Sequence, residues 1–103
     1  CGSVCEMITR ATGRRPDFVG KPEPLMARAA MALAGCAPEE TLLIGDRIYT
    51  DIACGVNAGI DTVLVLCGET SEEDLARSET KPTLAVRDLA ELAELWRLES
   101  VRN

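Results

Sequence analysis

Two short apolar runs limit what this chain can fold into more than any other feature. Thr41-Leu42-Leu43-Ile44 and Ile60-Asp61-Thr62-Val63-Leu64-Val65-Leu66 are rich in β-formers, and neither alternates polar with apolar along its length. Runs of this kind suit strands covered on both faces, as in a parallel sheet. Parallel neighbours need a long crossover, and the segment between the two runs is helix-length. Thr50 can cap a helix over residues 50–58, with Gly59 just past its end. A second helix, residues 24–34, precedes the first run. Pro24 suits its opening, Leu25, Met26, Ala29, Ala30 and Leu33 form its apolar stripe, and Gly35 ends it. The expected class is α/β, one domain, with a parallel sheet wrapped by helices.

The remaining segments extend the same alternation. Residues 4–12 read as a helix closed by Gly13, with Val4, Met7 and Ile8 on one face. Phe18-Val19 reads as a short extended piece. Past the loop Cys67-Gly68-Glu69-Thr70, Ser71 and Asp74 form a capping box for a short helix, with Asp in place of the usual Glu. Pro82 opens a weak strand over 83–86. Asp88 caps a last helix, with Glu91 at the matching position and Leu89, Leu92, Leu95 and Trp96 expected to pack inward.

Charge and composition exclude several function classes. A net charge of −6 and a pI near 4.6 leave no basic face for nucleic acid. No apolar run approaches the roughly 20 residues that span a bilayer, so no membrane segment is expected. The five cysteines form no CxxC pair and the chain has no histidine, which removes zinc spacing. They read as free thiols of a reducing, cytoplasmic compartment. The opening Cys1-Gly2-Ser3-Val4 is neither a signal peptide nor an initiator methionine and reads as a cut end.

The chemistry concentrates in three residues. Ligands of open parallel sheets collect beyond the carboxyl ends of the strands. Asp46 falls just past the first run, after Gly45, and Asp51 follows in the first turn of the next helix. Two such carboxylates can converge on one hard cation, and Mg²⁺ fits because it takes oxygen ligands and keeps several waters. Lys21, in a Gly-Lys-Pro turn, can set an ammonium beside that ion to neutralise a phosphate. Singly, each has a plainer role: Asp46 as a turn residue, Asp51 serving a helix dipole, Lys21 solvated. Their joint order points to phosphoryl transfer, which asks a protein mainly for positioning and charge.

Gly20-Lys21-Pro22-Glu23-Pro24 and Gly45-Asp46-Arg47-Ile48-Tyr49-Thr50-Asp51 resemble the third and fourth motifs of the haloacid dehalogenase-like (HAD-like) hydrolases. The nearest branch is the NagD-like and p-nitrophenylphosphatase-like phosphatases. Ala11-Thr12-Gly13-Arg14-Arg15-Pro16, Gly55-Val56-Asn57-Ala58-Gly59-Ile60 and Val65-Leu66-Cys67-Gly68-Glu69-Thr70 extend the match over nearly the whole chain. The resemblance implies a three-layer Rossmann-like sheet. It also implies a small phosphorylated metabolite as substrate, a sugar phosphate or nucleotide. By that resemblance Asp46 is the direct Mg²⁺ ligand and Asp51 supports the metal through a water or a neighbouring contact. Lys21 holds the attacking aspartate and the phosphoryl group. Asn57 reads as structural.

The family opens with an Asp-x-Asp motif, and no Asp-x-Asp occurs here. The resemblance therefore implies that residues 1–103 are the C-terminal portion of the core domain, with the early strands and the cap domain missing and no activity alone. It also implies an unpaired apolar edge on the 41–44 strand and self-association through it. The competing expectation is a non-catalytic HAD-like binding or scaffolding module. A receiver-type domain also gathers aspartates and a lysine around Mg²⁺, but its lysine comes late, whereas Lys21 precedes both acids.

Overall fold

The computed structural model describes the backbone of residues 1–102 and the side chains of residues 1–99. Helix α1 (Gly2–Thr12) comes first, then helix α2 (Leu25–Ala34), which begins directly after Pro24. Strand β1 (Leu42–Gly45) leads through a wide five-residue π-turn, Ile48–Ile52, into helix α3 (Ala53–Ala58). Strand β2 (Asp61–Val65), helix α4 (Glu72–Arg77), strand β3 (Leu84–Val86) and helix α5 (Leu89–Arg102) complete the order. Gly35 and Gly59 end α2 and α3 at φ 67° and φ 75°, a left-handed conformation that glycine adopts without steric cost.

The sheet is parallel, in the order β1-β2-β3. Leu42 pairs with Asp61 and Gly45 with Leu64, while Val63 pairs with Leu84 and Val65 with Val86. Alternation along β2 divides the core. Leu64 packs on one face with Ile48 and Ile52 from the wide turn. Val63, Val65 and Val86 pack on the other with Leu42 and with Leu92 of α5. Helix α3 lies on the Leu64 face, where a Cβ on Gly55 would overlap the Thr62 methyl. Helices thus lie on both faces, and the fold is the three-layer, Rossmann-like α/β class that the sequence implied. The outer edge of β1 has no ladder partner among the described residues.

Two local expectations are corrected. Thr50 does not cap a helix: it lies inside the wide turn, and the Asp51 carboxylate accepts the Arg47 N–H at 3.2 Å instead. Leu89, Leu95 and Trp96 do not pack inward; they are 59%, 41% and 64% exposed, and α5 meets the sheet through Leu92. Val4, Met7 and Ile8 of α1 are likewise more than half exposed. The reason is geometric, since no further layer of described chain lies over those faces. The radius of gyration is 16.6 Å, against about 13 Å for a compact domain of this length.

The Ser71–Asp74 capping box forms as read; at α5 the Asp88 cap forms, but the Glu91 carboxylate reaches the Arg87 N–H rather than that of Asp88. Asp74 N–H donates to Ser71 Oγ at 3.2 Å and Ser71 N–H to Asp74 Oδ2 at 3.1 Å. Glu91 N–H donates to Asp88 Oδ1 at 2.9 Å, and the Glu91 carboxylate takes the Arg87 N–H at 2.6 Å.

Candidate active site

The carboxyl end of β1 is where the chemistry-bearing residues gather. Gly45 is the last residue of the strand, and a Cβ there would overlap the Asp51 side chain. Glycine therefore lets Asp51 fold back against the strand end. Asp51 is 6% exposed and uses both carboxylate oxygens. Oδ1 accepts the Lys21 ammonium in a tight ion pair, and Oδ2 accepts the Arg47 N–H at 3.2 Å. Turns widened to the π form are frequent at functional sites, and this one swings Asp51 into that position.

Lys21 reaches Asp51 from a loop that is pinned on its far side. Glu23 N–H closes a turn on Gly20 O at 3.0 Å, and the Lys21–Pro22 peptide is cis. Asn57 Nδ2 donates to Pro22 O at 3.0 Å, and Cys54 Sγ donates to Glu23 O at 3.3 Å. Both come from α3, so the helix after the acidic loop also holds the lysine loop.

Asp46 sits half-buried on the other side of the strand end. Its Oδ2 accepts the Glu69 N–H at 3.0 Å, and its carbonyl accepts the Thr70 N–H at 3.2 Å. A Cβ on Gly68 would overlap the Asp46 carboxylate, so glycine there makes the close approach possible. Oδ1 accepts no hydrogen bond among the described residues.

One part of the site was not singled out from the sequence. Glu69 pairs with the Arg47 guanidinium and accepts the Tyr49 hydroxyl, both from the loop that follows Asp46. Attraction to Glu69 raises the Arg47 pKa, and the hydrogen bond to Glu69 raises that of Tyr49. Tyr49 and Glu69 also line an open pocket of about 340 Å³ with Ile48, Thr70, Asp74 and Ser78. The traces of this part in the sequence were the two family matches that carry it, Gly45–Asp51 with Arg47 and Tyr49 and Val65–Thr70 with Glu69.

The Asp46 carboxylate fits a hard cation through its open oxygen, while both Asp51 oxygens at the same strand end are taken by Lys21 and the Arg47 N–H. Among the described residues no cluster of three or more His, Cys, Asp or Glu side chains could hold a metal. Any ion would therefore complete its shell with water and phosphate, as Mg²⁺ commonly does.

A parallel three-layer sheet with a lysine and two acids at the carboxyl end of its first strand places this chain in the Rossmann-like class of site-bearing folds. Residues 18–92 match the HAD-hydrolase-like family, and the chain belongs to it. It is 42% identical over 95 residues to the dihydroxyacetone phosphatase of Corynebacterium glutamicum (strain R), covering 92% of this chain and 34% of that protein. It is 39% identical over 92 residues to the ribonucleotide monophosphatase NagD of Escherichia coli (strain K12), covering 89% and 37%. The solved 4-nitrophenylphosphatase of Thermotoga maritima superposes with a TM-score of 0.83 at 47% identity, over 90% of this chain and 36% of that one. The chain spans about a third of the length of these relatives. Both NagD and the nitrophenylphosphatase fall in the branch that the motifs indicated.

Proposed function

We propose that residues 1–103 form the C-terminal portion of a HAD-like phosphatase core that uses Mg²⁺ to hydrolyse a small phosphate ester. In this reading Asp46 is the direct ligand of the ion and Asp51 supports it through a water or a neighbouring contact. Lys21 steadies the phosphoryl group and the attacking aspartate. The carrying observation is the Lys21–Asp51 ion pair at the carboxyl end of β1, one loop from Asp46.

Mg²⁺, when bound, would neutralise phosphate oxygens and orient the ester. The chain's own residues supply the frame for that. Asp51 is buried and committed to Lys21 and to the Arg47 N–H, so its role is to fix the ammonium. Asp46 keeps one oxygen open. Lys21 carries the charge that offsets a phosphate in a site partly shielded from water. The relatives' names support a sugar phosphate or nucleotide as the ester. The net charge of −6 speaks against nucleic acid, and among the described residues no helix is long and apolar enough to cross a membrane. Five unpaired cysteines support a reducing, cytoplasmic setting.

The sequence holds no Asp-x-Asp pair, so this polypeptide by itself lacks the attacking group of the covalent route. A malachite-green assay of the purified 103 residues with Mg²⁺ is expected to show no phosphate release, and robust turnover would refute that. The positive test is a chimera in which residues 1–103 replace the matching third of the Thermotoga nitrophenylphosphatase. It is expected to hydrolyse 4-nitrophenyl phosphate with Mg²⁺ and to lose at least about a hundredfold in kcat on Lys21→Ala or Asp46→Asn, typical for removing one electrostatic stabiliser. A folded but inactive chimera would favour the non-catalytic binding or scaffolding module.

A further inference from the structure

We infer that Glu69 is a positioning residue for Asp46, fixing which carboxylate oxygen that side chain keeps open toward a divalent cation. The inference rests on the reading of Asp46 as the ion's ligand. Four contacts form a closed ring. The chain leaves Asp46 into Arg47 and Tyr49. The Arg47 guanidinium and the Tyr49 hydroxyl both grip the Glu69 carboxylate. The Glu69 backbone N–H then donates back to Asp46 Oδ2 at 3.0 Å. Thr70 N–H closes the same loop on the Asp46 carbonyl at 3.2 Å.

The ring does two things at once. It occupies Oδ2, which leaves Oδ1 as the oxygen without a hydrogen bond among the described residues. It also locks the loop of residues 67–70 against the strand end, so the orienting N–H cannot swing away. Gly68 makes the approach possible, because any side chain there would overlap the Asp46 carboxylate. Arg47 and Glu69 keep 51% and 42% of their side chains exposed, so the pair itself adds little to folding stability. Its effect falls on geometry. Groups that orient a metal ligand through hydrogen bonds typically change affinity by about 10- to 100-fold when removed. A half-exposed ring belongs at the lower end of that range.

The test uses Mn²⁺ as the probe, titrated into the 103-residue chain and followed by the loss of the free-ion electron paramagnetic resonance signal. Urea unfolding and amide hydrogen exchange at position 69 are measured beside it. Glu69→Ala is expected to bind Mn²⁺ about 10-fold more weakly, at an essentially unchanged unfolding midpoint, and to expose the amide at position 69 to faster exchange. Glu69→Gln keeps an acceptor for Tyr49 and is expected to recover part of both. Mn²⁺ affinity unchanged in Glu69→Ala but lost in Asp46→Asn would overturn the positioning role and leave the Asp46 reading standing. No binding by the wild type, or equal binding by Asp46→Asn, would overturn the reading of Asp46. In that case the exchange measurement decides the ring alone, and unchanged protection at position 69 in Glu69→Ala would overturn it.

Discussion

Asn57 Nδ2 donates to the carbonyl of Pro22 at 3.0 Å, joining α3 to the lysine loop across 35 positions of sequence. The neighbouring Cys54 thiol does the same at Glu23 O. The acidic loop and the lysine loop are therefore held by one helix, so a change in α3 reaches both sides of the Lys21–Asp51 pair.

Asn57→Ala removes the stronger of these ties. The side chain is exposed, so water partly replaces the lost bond. The expected cost is about 0.5–1 kcal/mol in urea unfolding, near the low end for a neutral hydrogen bond. Faster amide exchange in residues 20–24 should accompany it. Asn57→Ala with wild-type stability and wild-type exchange in that loop would show that α3 does not hold the lysine.

Gly45 and Gly20 make a matched pair for testing close approach. A Cβ at Gly45 would overlap Asp51 near its backbone, where no rotamer change can clear it. Gly45→Ala is expected to cost about 1–3 kcal/mol, in the range for overpacking. At Gly20 nothing lies within 4 Å of the added atom. Gly20→Ala is expected to stay within about 0.5 kcal/mol of wild type. Equal midpoints for the two variants in chemical denaturation would contradict the packing at the strand end.

The Ser71–Asp74 capping box sets a pH dependence. The Ser71 hydroxyl and N–H hold the Asp74 carboxyl below its ordinary value of 3.8. A carboxyl depressed in the folded state stabilises fully above its unfolded pKa, and that contribution disappears as pH falls through the folded pKa. Wild type should therefore exceed Ser71→Ala by its full margin at neutral pH. The Asp74 part of that margin should shrink as the solution is acidified below 3.8. A margin that grows on acidification would reverse the assignment.

Much of this site was legible because its parts follow one another in sequence. The runs ending at Ile44 and Leu66 are short, apolar and followed by glycine-containing loops, so strand tips and turns could be placed together. Asp46 and Asp51 then fell at one end of the sheet by topology, while Lys21 was set beside them by the order of its Gly-Lys-Pro turn relative to the two acids. The Glu69 ring was not legible, because it depends on two loops, 20 or more residues apart, closing on each other. The Thr50 cap failed for a local reason: Thr50 lies inside a turn widened by the Ile52 N–H bonding to Arg47 O, and Asp51, one residue on, takes the Arg47 N–H instead. The inward packing of Leu89, Leu95 and Trp96 failed because periodicity marks a face as apolar without saying what covers it.

The outer edge of β1 leads to the last prediction. Its backbone groups have no ladder partner among the described residues, and Ile44 is 44% exposed there. An unpaired edge with an apolar side chain is a template for another strand. The 103-residue chain is expected to self-associate as concentration rises, with the apparent mass by light scattering growing on concentration and falling on dilution. Ile44→Lys places a charge that must be desolvated when a second strand docks, a common natural device against edge pairing. It should shift the association to higher concentration by about tenfold, since a penalty of about 1.4 kcal/mol on the docked state is a factor of ten in the constant. Leu33→Lys is the control, because Leu33 is 90% exposed on α2 and belongs to no strand. If both substitutions weaken association equally, general hydrophobic contact rather than strand pairing joins the chains. A concentration-independent monomer would rule out pairing through this edge.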